Sequence, residues 1–129
     1  MEKSESKLKL NAETKSKSGQ WGFRSKIWLE VEGQPVIGEG RMAMLQSIER
    51  NGSIFHASLE IGIPYRRMRG AIQDMEKALG RPLVKAFRGG GEGGGARLTA
   101  TAHELMASYN QISERFQKEI HTRFTEIIG

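Results

Sequence analysis

Three glycine-bearing stops divide the middle of the chain into helices joined by tight turns. From Glu39 to Arg50, Met42, Leu45 and Ile48 (with Met44) recur at helical spacing, and Glu39 near the start suits the helix dipole. Asn51-Gly52 ends that helix, because both residues tolerate the left-handed conformation of a C-terminal cap. Ser53 is a good N-cap for a second, very short helix from Ile54 to about Ile61, which Gly62 breaks. A third helix begins near Pro64, a residue suited to a first helical turn, and runs to about Leu79. Its inward face reads Met68, Ala71, Ile72, Met75, Leu79, and Gly80-Arg81-Pro82 closes it. Three helices so joined have the spacing of a helix-turn-helix unit.

Short strands flank this unit. Ile27, Leu29 and Val31 alternate with Trp28, Glu30 and Glu32, and Gly33-Gln34 turns the chain into Pro35-Val36-Ile37, a β-hairpin by period and turn chemistry. After the third helix, Leu83–Arg88 and Ala96–Thr99 read as strands around a run of glycines interrupted only by Glu92, a hairpin with a flexible tip. A phosphate-cradling loop fits that run poorly: no Lys-Ser or Lys-Thr follows the glycines and no helix opens from them. The last helix starts near Thr99, although Thr101 and Glu104 also fit a capping box. Along it Leu105, Tyr109, Ile112, Phe116, Ile120, Phe124 and Ile127 step by three or four, a single apolar seam longer than so small a domain covers. A second copy of the helix is its expected partner. The fold class is therefore mainly α with short β-hairpins: a winged helix-turn-helix with a long C-terminal dimerisation helix over residues 26–129. A disordered basic tail, residues 1–25, precedes it, poor in apolar side chains through residue 19.

Charge follows the same division. The net charge of +5 is uneven: residues 65–97 carry eight Lys/Arg against three acids, whereas residues 29–64 carry two against five. A basic block in an otherwise balanced domain is the electrostatic footprint of a polyanion binder. With Met68, Ile72 and Met75 turned inward, the third helix presents Tyr65, Arg66, Arg67, Arg69 and Gln73 outward, and Arg88 and Arg97 stand at the base of the glycine-rich hairpin. Arginine forks suit guanine edges and phosphates, and a helix fits the major groove, so double-stranded DNA is the expected partner. A protein-interaction module that keeps the fold without binding DNA is the alternative.

Other classes find little support. Asp74 is the only aspartate, and His56, His103 and His121 are far apart with no ligand spacing, so neither a catalytic constellation nor a metal site is expected, and no cofactor. The absence of cysteine excludes disulfides and thiolate metal sites. No apolar run approaches a transmembrane span, and the N-terminus lacks the apolar centre of a secretory signal, so a cytoplasmic protein without membrane contact is expected.

The runs Trp28-Leu29-Glu30, Gly38-Glu39-Gly40-Arg41, Asn51-Gly52-Ser53-Ile54 and Gly62-Ile63-Pro64-Tyr65, with the glycine-rich stretch ending Gly95-Ala96-Arg97-Leu98-Thr99, resemble the N-terminal domain of ModE-type molybdate-responsive transcriptional regulators. Met75 to Val84 is also similar to the end of the recognition helix and the wing entry of LysR-type regulators. The resemblance covers about residues 26–115. It implies a homodimer that pairs through its first and last helices and presents two recognition helices to a palindromic operator. Carried over by position, DNA contacts fall on Tyr65, Arg66, Arg67, Arg69 and Gln73, with wing contacts from Arg88 to Arg97. Pro64 stands where the family usually has serine, and Arg69-Gly70 where it usually has an aromatic and an acid, so a different operator sequence is expected. The family commonly continues into oxyanion-binding domains. This chain ends at Gly129, so no molybdate binding is expected of it alone.

Overall fold

The computed structural model describes residues 14–15, 19–88 and 94–129, which form two compact units. The larger, Trp28–Ala107, opens with an antiparallel hairpin of β3 (Trp28–Val31) and β4 (Gln34–Gly38), following two short strands, β1 (Thr14–Lys15) and β2 (Gly22–Phe23), of the other unit. Three helices follow: α1 (Glu39–Asn51), α2 (Ile54–Ile61) and α3 (Tyr65–Leu79). A second hairpin, β5 (Val84–Arg88) with β6 (Gly94–Leu98), forms the wing, and α4 (Ala100–Ile128) closes the chain. The fold is mainly α and winged-helix-like.

The helix stops act as their residue types require. α1, α2 and α3 each end on a glycine in the left-handed region, Gly52 (φ 66°), Gly62 (φ 85°) and Gly80 (φ 75°), and each glycine amide bonds back to the last turn. A side chain at such a φ meets the backbone, which makes glycine the usual residue there. Ser53 caps α2 by accepting from the His56 amide at 3.0 Å. Pro64 stands one residue ahead of α3, as its extended N-cap rather than in its first turn. Both wing strands keep their expected places, but β6 begins at Gly94, so two glycines of the run belong to the strand. Residues 89–93, the rest of the expected flexible tip, lie outside the described residues.

The core of this unit is built from the helical faces. Met42, Leu45 and Ile48 of α1, Met68, Ile72 and Met75 of α3, Val36 and Ile37 of β4, and Leu83 ahead of β5 are buried. Each such side chain removed from water contributes about 1.5–3 kcal/mol. Polar staples fix the junctions. Arg41 donates to the carbonyls of Pro35 and Val36 at 3.1 Å, tying α1 to β4. Glu76 of α3 accepts from the amides of Leu83 and Val84 (2.8 and 3.1 Å), and Thr99 donates to the Pro82 carbonyl while capping α4 through the Ala102 amide.

A fourth staple holds α1 to α2. The Glu60 carboxylate accepts from buried Ser47 at 2.5 Å and from Asn51 at 2.6 Å, and pairs with Arg50 at 3.2 Å. The Ser47 hydroxyl, then Arg50 and Asn51, hold the carboxyl down at about 2, below an ordinary 4.5. A depressed pKa contributes stability above the unfolded value that is lost as pH falls toward the folded one. Glu60→Gln is therefore expected to be less stable than the parent near neutrality, with the difference shrinking between pH 4.5 and about 2. Urea melts across that range provide the measurement. A difference unchanged by pH would separate Glu60 from the effect.

The smaller unit comprises, among the described residues, 14–15, 19–27 and 108–129. β1 and β2 pair antiparallel, Thr14 opposite Phe23, so part of the expected disordered tail forms strand; residues 1–13 and 16–18 lie outside the described residues. Phe23 stacks on Phe124 of α4 with ring centroids 5.8 Å apart, and the Tyr109 hydroxyl donates to the Ile27 carbonyl at 2.9 Å.

Candidate nucleic-acid interface

The basic face is built on α3 because the apolar residues of that helix occupy one side only. Burial of Met68, Ile72 and Met75 leaves Tyr65, Arg66, Arg67, Arg69 and Gln73 exposed, as their helical spacing demands. Arg66, Arg67 and Arg69 form no ion pair among the described residues. The Arg69 guanidinium instead lies 5.9 Å from the centre of the Tyr65 ring, a cation–π placement that leaves its charge uncompensated.

The wing adds cations beside α3. Register places Lys85 opposite Arg97 and Arg88 opposite Gly94. Because side chains alternate along a strand, Arg97 shares a face with Lys85 and Phe87, whereas Arg88 lies on the other face. Arg97 sits over the Phe87 ring at 5.2 Å. The two arginines thus leave opposite faces of the hairpin, an arrangement set by register.

Small residues bring the wing close. The Ala96 amide donates to the Gly52 carbonyl at 2.8 Å, joining β6 to the α1–α2 turn. A Cβ on Gly95 would stand 2.7 Å from Cζ of Phe87 and 3.0 Å from that same carbonyl oxygen. Gly95→Ala is therefore expected to push the Phe87 ring and β6 away from the turn, at a cost of roughly 1–3 kcal/mol. Thermal melts and exchange of the Ala96 amide would record it; an amide as protected as in the parent would show the strand had not moved.

Sequence reasoning finds Tyr65 at this face but misses the aromatic side chains Phe55 and Phe87. Phe55 near the start of α2 is 52% exposed and Tyr65 41%, their ring centroids 6.3 Å apart. Phe87 on the wing is exposed as well. Nothing in the sequence separates Phe55 from a core residue, since a short helix of mixed apolar residues has no clear inward face. His56 and His103 are occupied locally, by Ser53 and by Glu49, and no group of three or more His, Asp or Glu is placed to hold a metal ion among the described residues.

The α4 seam divides into different environments. Tyr109 is buried and Leu105, Ile120 and Phe124 are partly covered, so the chain itself covers some of the seam. Ile112, Phe116 and Ile127 are exposed. Among the described residues no helix is long and apolar enough to cross a membrane.

A mainly α, winged-helix-like fold with an uncompensated basic helix face defines the class. Within that class the chain is related to ModE-type proteins. It is 35% identical over 96 residues to the transcriptional regulator ModE of Yersinia pestis, covering 74% of this chain and 36% of that protein. It is 41% identical over 76 residues to the molybdenum-pterin-binding protein MopB of Rhodobacter capsulatus (59% of this chain, 28% of that protein). The molybdenum transport protein ModE of Azotobacter vinelandii is 28% identical over 110 residues, 83% of this chain and 41% of that protein. The chain thus spans well under half the length of these relatives, which are named as regulators, transport or binding proteins and not as enzymes. No protein-family model matches the chain.

Proposed function

We propose that the chain is a sequence-specific DNA-binding element of a transcriptional regulator, acting on double-stranded DNA as a homodimer at palindromic operators, in the cytoplasm, with a link to molybdate metabolism. The observation that carries this reading is the triplet Arg66, Arg67, Arg69 on the exposed face of α3, without an acidic partner among the described residues. Such a face is repelled by its own charge and is stabilised by a polyanion. α3 is the helix that enters the major groove, Tyr65 and Gln73 lie on its base-facing side, and Arg88 and Arg97 of the wing contact the adjoining backbone. Exposed apolar positions of α4, Ile112 and Phe116 first, meet their counterparts in a second copy. The naming of the Yersinia pestis relative as a transcriptional regulator supports the regulatory role; the molybdenum in the names of the Azotobacter vinelandii and Rhodobacter capsulatus relatives supports the metabolic link.

The experiment is retention of random-sequence duplex by the purified chain across a salt series. Counterion release makes the logarithm of affinity fall linearly with the logarithm of salt, by about 0.9 for each phosphate neutralised. A steep slope is expected, together with enrichment of a two-fold symmetric sequence whose half-sites lie about one helical turn apart or a multiple of it. Absence of retention at low salt would remove the reading. It would favour a protein-interaction module, to which the exposed Leu59 on α2, 62% accessible, is suited.

A further inference from the structure

Between α3 and the wing, the basic face is interrupted by an apolar strip. Two shallow depressions of about 230 and 260 Å³ adjoin there, and Ile54, Tyr65 and Ala86 line both. Phe55 closes one side of the strip, with Arg69 and Gln73 on the other. Among the described residues the one carboxylate lining it is Glu76, whose Oε2 is engaged by the Leu83 and Val84 amides.

The carbon faces of an exposed pair of aromatic rings gain nothing from phosphate oxygens, which hydrogen-bond to polar groups such as arginine side chains and the Tyr65 hydroxyl. On the major-groove edge of a duplex the groups are hydrogen-bond donors and acceptors, with one apolar exception, the 5-methyl group of thymine. Resting on the proposed DNA-binding role, we infer that the Phe55–Tyr65 strip is a specificity-determining site that seats thymine 5-methyl groups. The arginines hold the duplex through phosphates and base edges, and the rings select A·T pairs by the methyl they cover. Charge complementarity brings DNA to this face, while the rings offer the apolar surface that the methyl loses to water if left uncovered.

The test uses the full chain and the duplex it retains most tightly from a random pool, resynthesised with deoxyuridine in place of one thymine at a time. Uracil differs from thymine only by the missing methyl. At one or two positions in each half-site, affinity is expected to fall about fourfold, the factor that burying one methyl-sized group is worth. The F55A/Y65A double variant is expected to bind thymine and uracil duplexes equally, and Tyr65→Phe, which keeps the ring, to retain the difference. Both rings are exposed, so circular dichroism of the double variant should match the parent. Retention of duplex with no thymine-to-uracil difference at any position overturns this inference and leaves the DNA-binding reading standing. A difference that survives in the double variant overturns it as well. No retention of any duplex overturns both.

Discussion

Replacing Arg66, Arg67 and Arg69 together by Ala is expected to reduce affinity for the selected operator by about four decades and to leave the fold intact. All three side chains are exposed and none is in an ion pair among the described residues, so folding loses little from their removal. The proposed dimer would lose six cationic contacts, and at about 1 kcal/mol each, the low end for a contact to a base edge, they sum to roughly four powers of ten. The single variants separate their roles. Loss of a phosphate contact weakens binding equally on operator and random duplex and lowers the salt slope by about one unit per contact. Loss of a base reader costs roughly 1–3 kcal/mol on the operator and blunts discrimination at one position of each half-site. Arg69, one turn into α3 and lying over the Tyr65 ring, is the candidate reader; Arg66 fits either role. Binding isotherms over a salt series on both duplexes decide the matter. A triple variant that binds both as tightly as the parent would show that α3 does not touch DNA.

The second large effect concerns α4. The I112D/F116D double variant is expected to sediment as a monomer at micromolar concentration and to bind the operator 10²–10⁴-fold more weakly than the parent. Ile112 is 47% and Phe116 37% exposed in the single chain, so an aspartate there reaches water in the monomer but buries a charge in a paired seam. The loss of affinity follows from valency. Linking two recognition helices makes the second half-site contact intramolecular, and separating them forfeits that effective concentration without altering any contact of the first. Analytical ultracentrifugation with operator titration provides both readouts. A parent that is already monomeric at that concentration would remove the seam from the dimer interface. Tyr109 is a poor site for the same test. Its ring is buried and its hydroxyl bonds to the Ile27 carbonyl, so its replacement would unfold the segment around it.

These two experiments draw on information that entered at different levels. From β3 onward the order of elements was legible in the sequence because each signal is local, whereas the β1–β2 pair falls in a segment that reads as a disordered tail. Gly52, Gly62 and Gly80 end their helices in the left-handed conformation that their lack of a Cβ permits, and the three-and-four spacing of Met68, Ile72 and Met75 turns the arginines of α3 outward. Charge placement needed no coordinates either, since burial of one helical face dictates exposure of the other. What only the tertiary structure decided depends on neighbours distant in the chain. The register of β5 against β6 sends Arg88 and Arg97 to opposite faces of the wing, and a slip of one residue would bring them to the same face. The Ala96 amide finds the Gly52 carbonyl because Gly95 has no Cβ to hold them apart. The α4 seam reads as uniform along the helix, yet the segment before Trp28 reaches Tyr109 and Phe124 and leaves Ile112 and Phe116 open. Phe55 looks like core in a list of residues. Its exposure beside Tyr65 results from the packing of α2 on its neighbours, a property of the assembled unit that no periodicity within eight residues encodes.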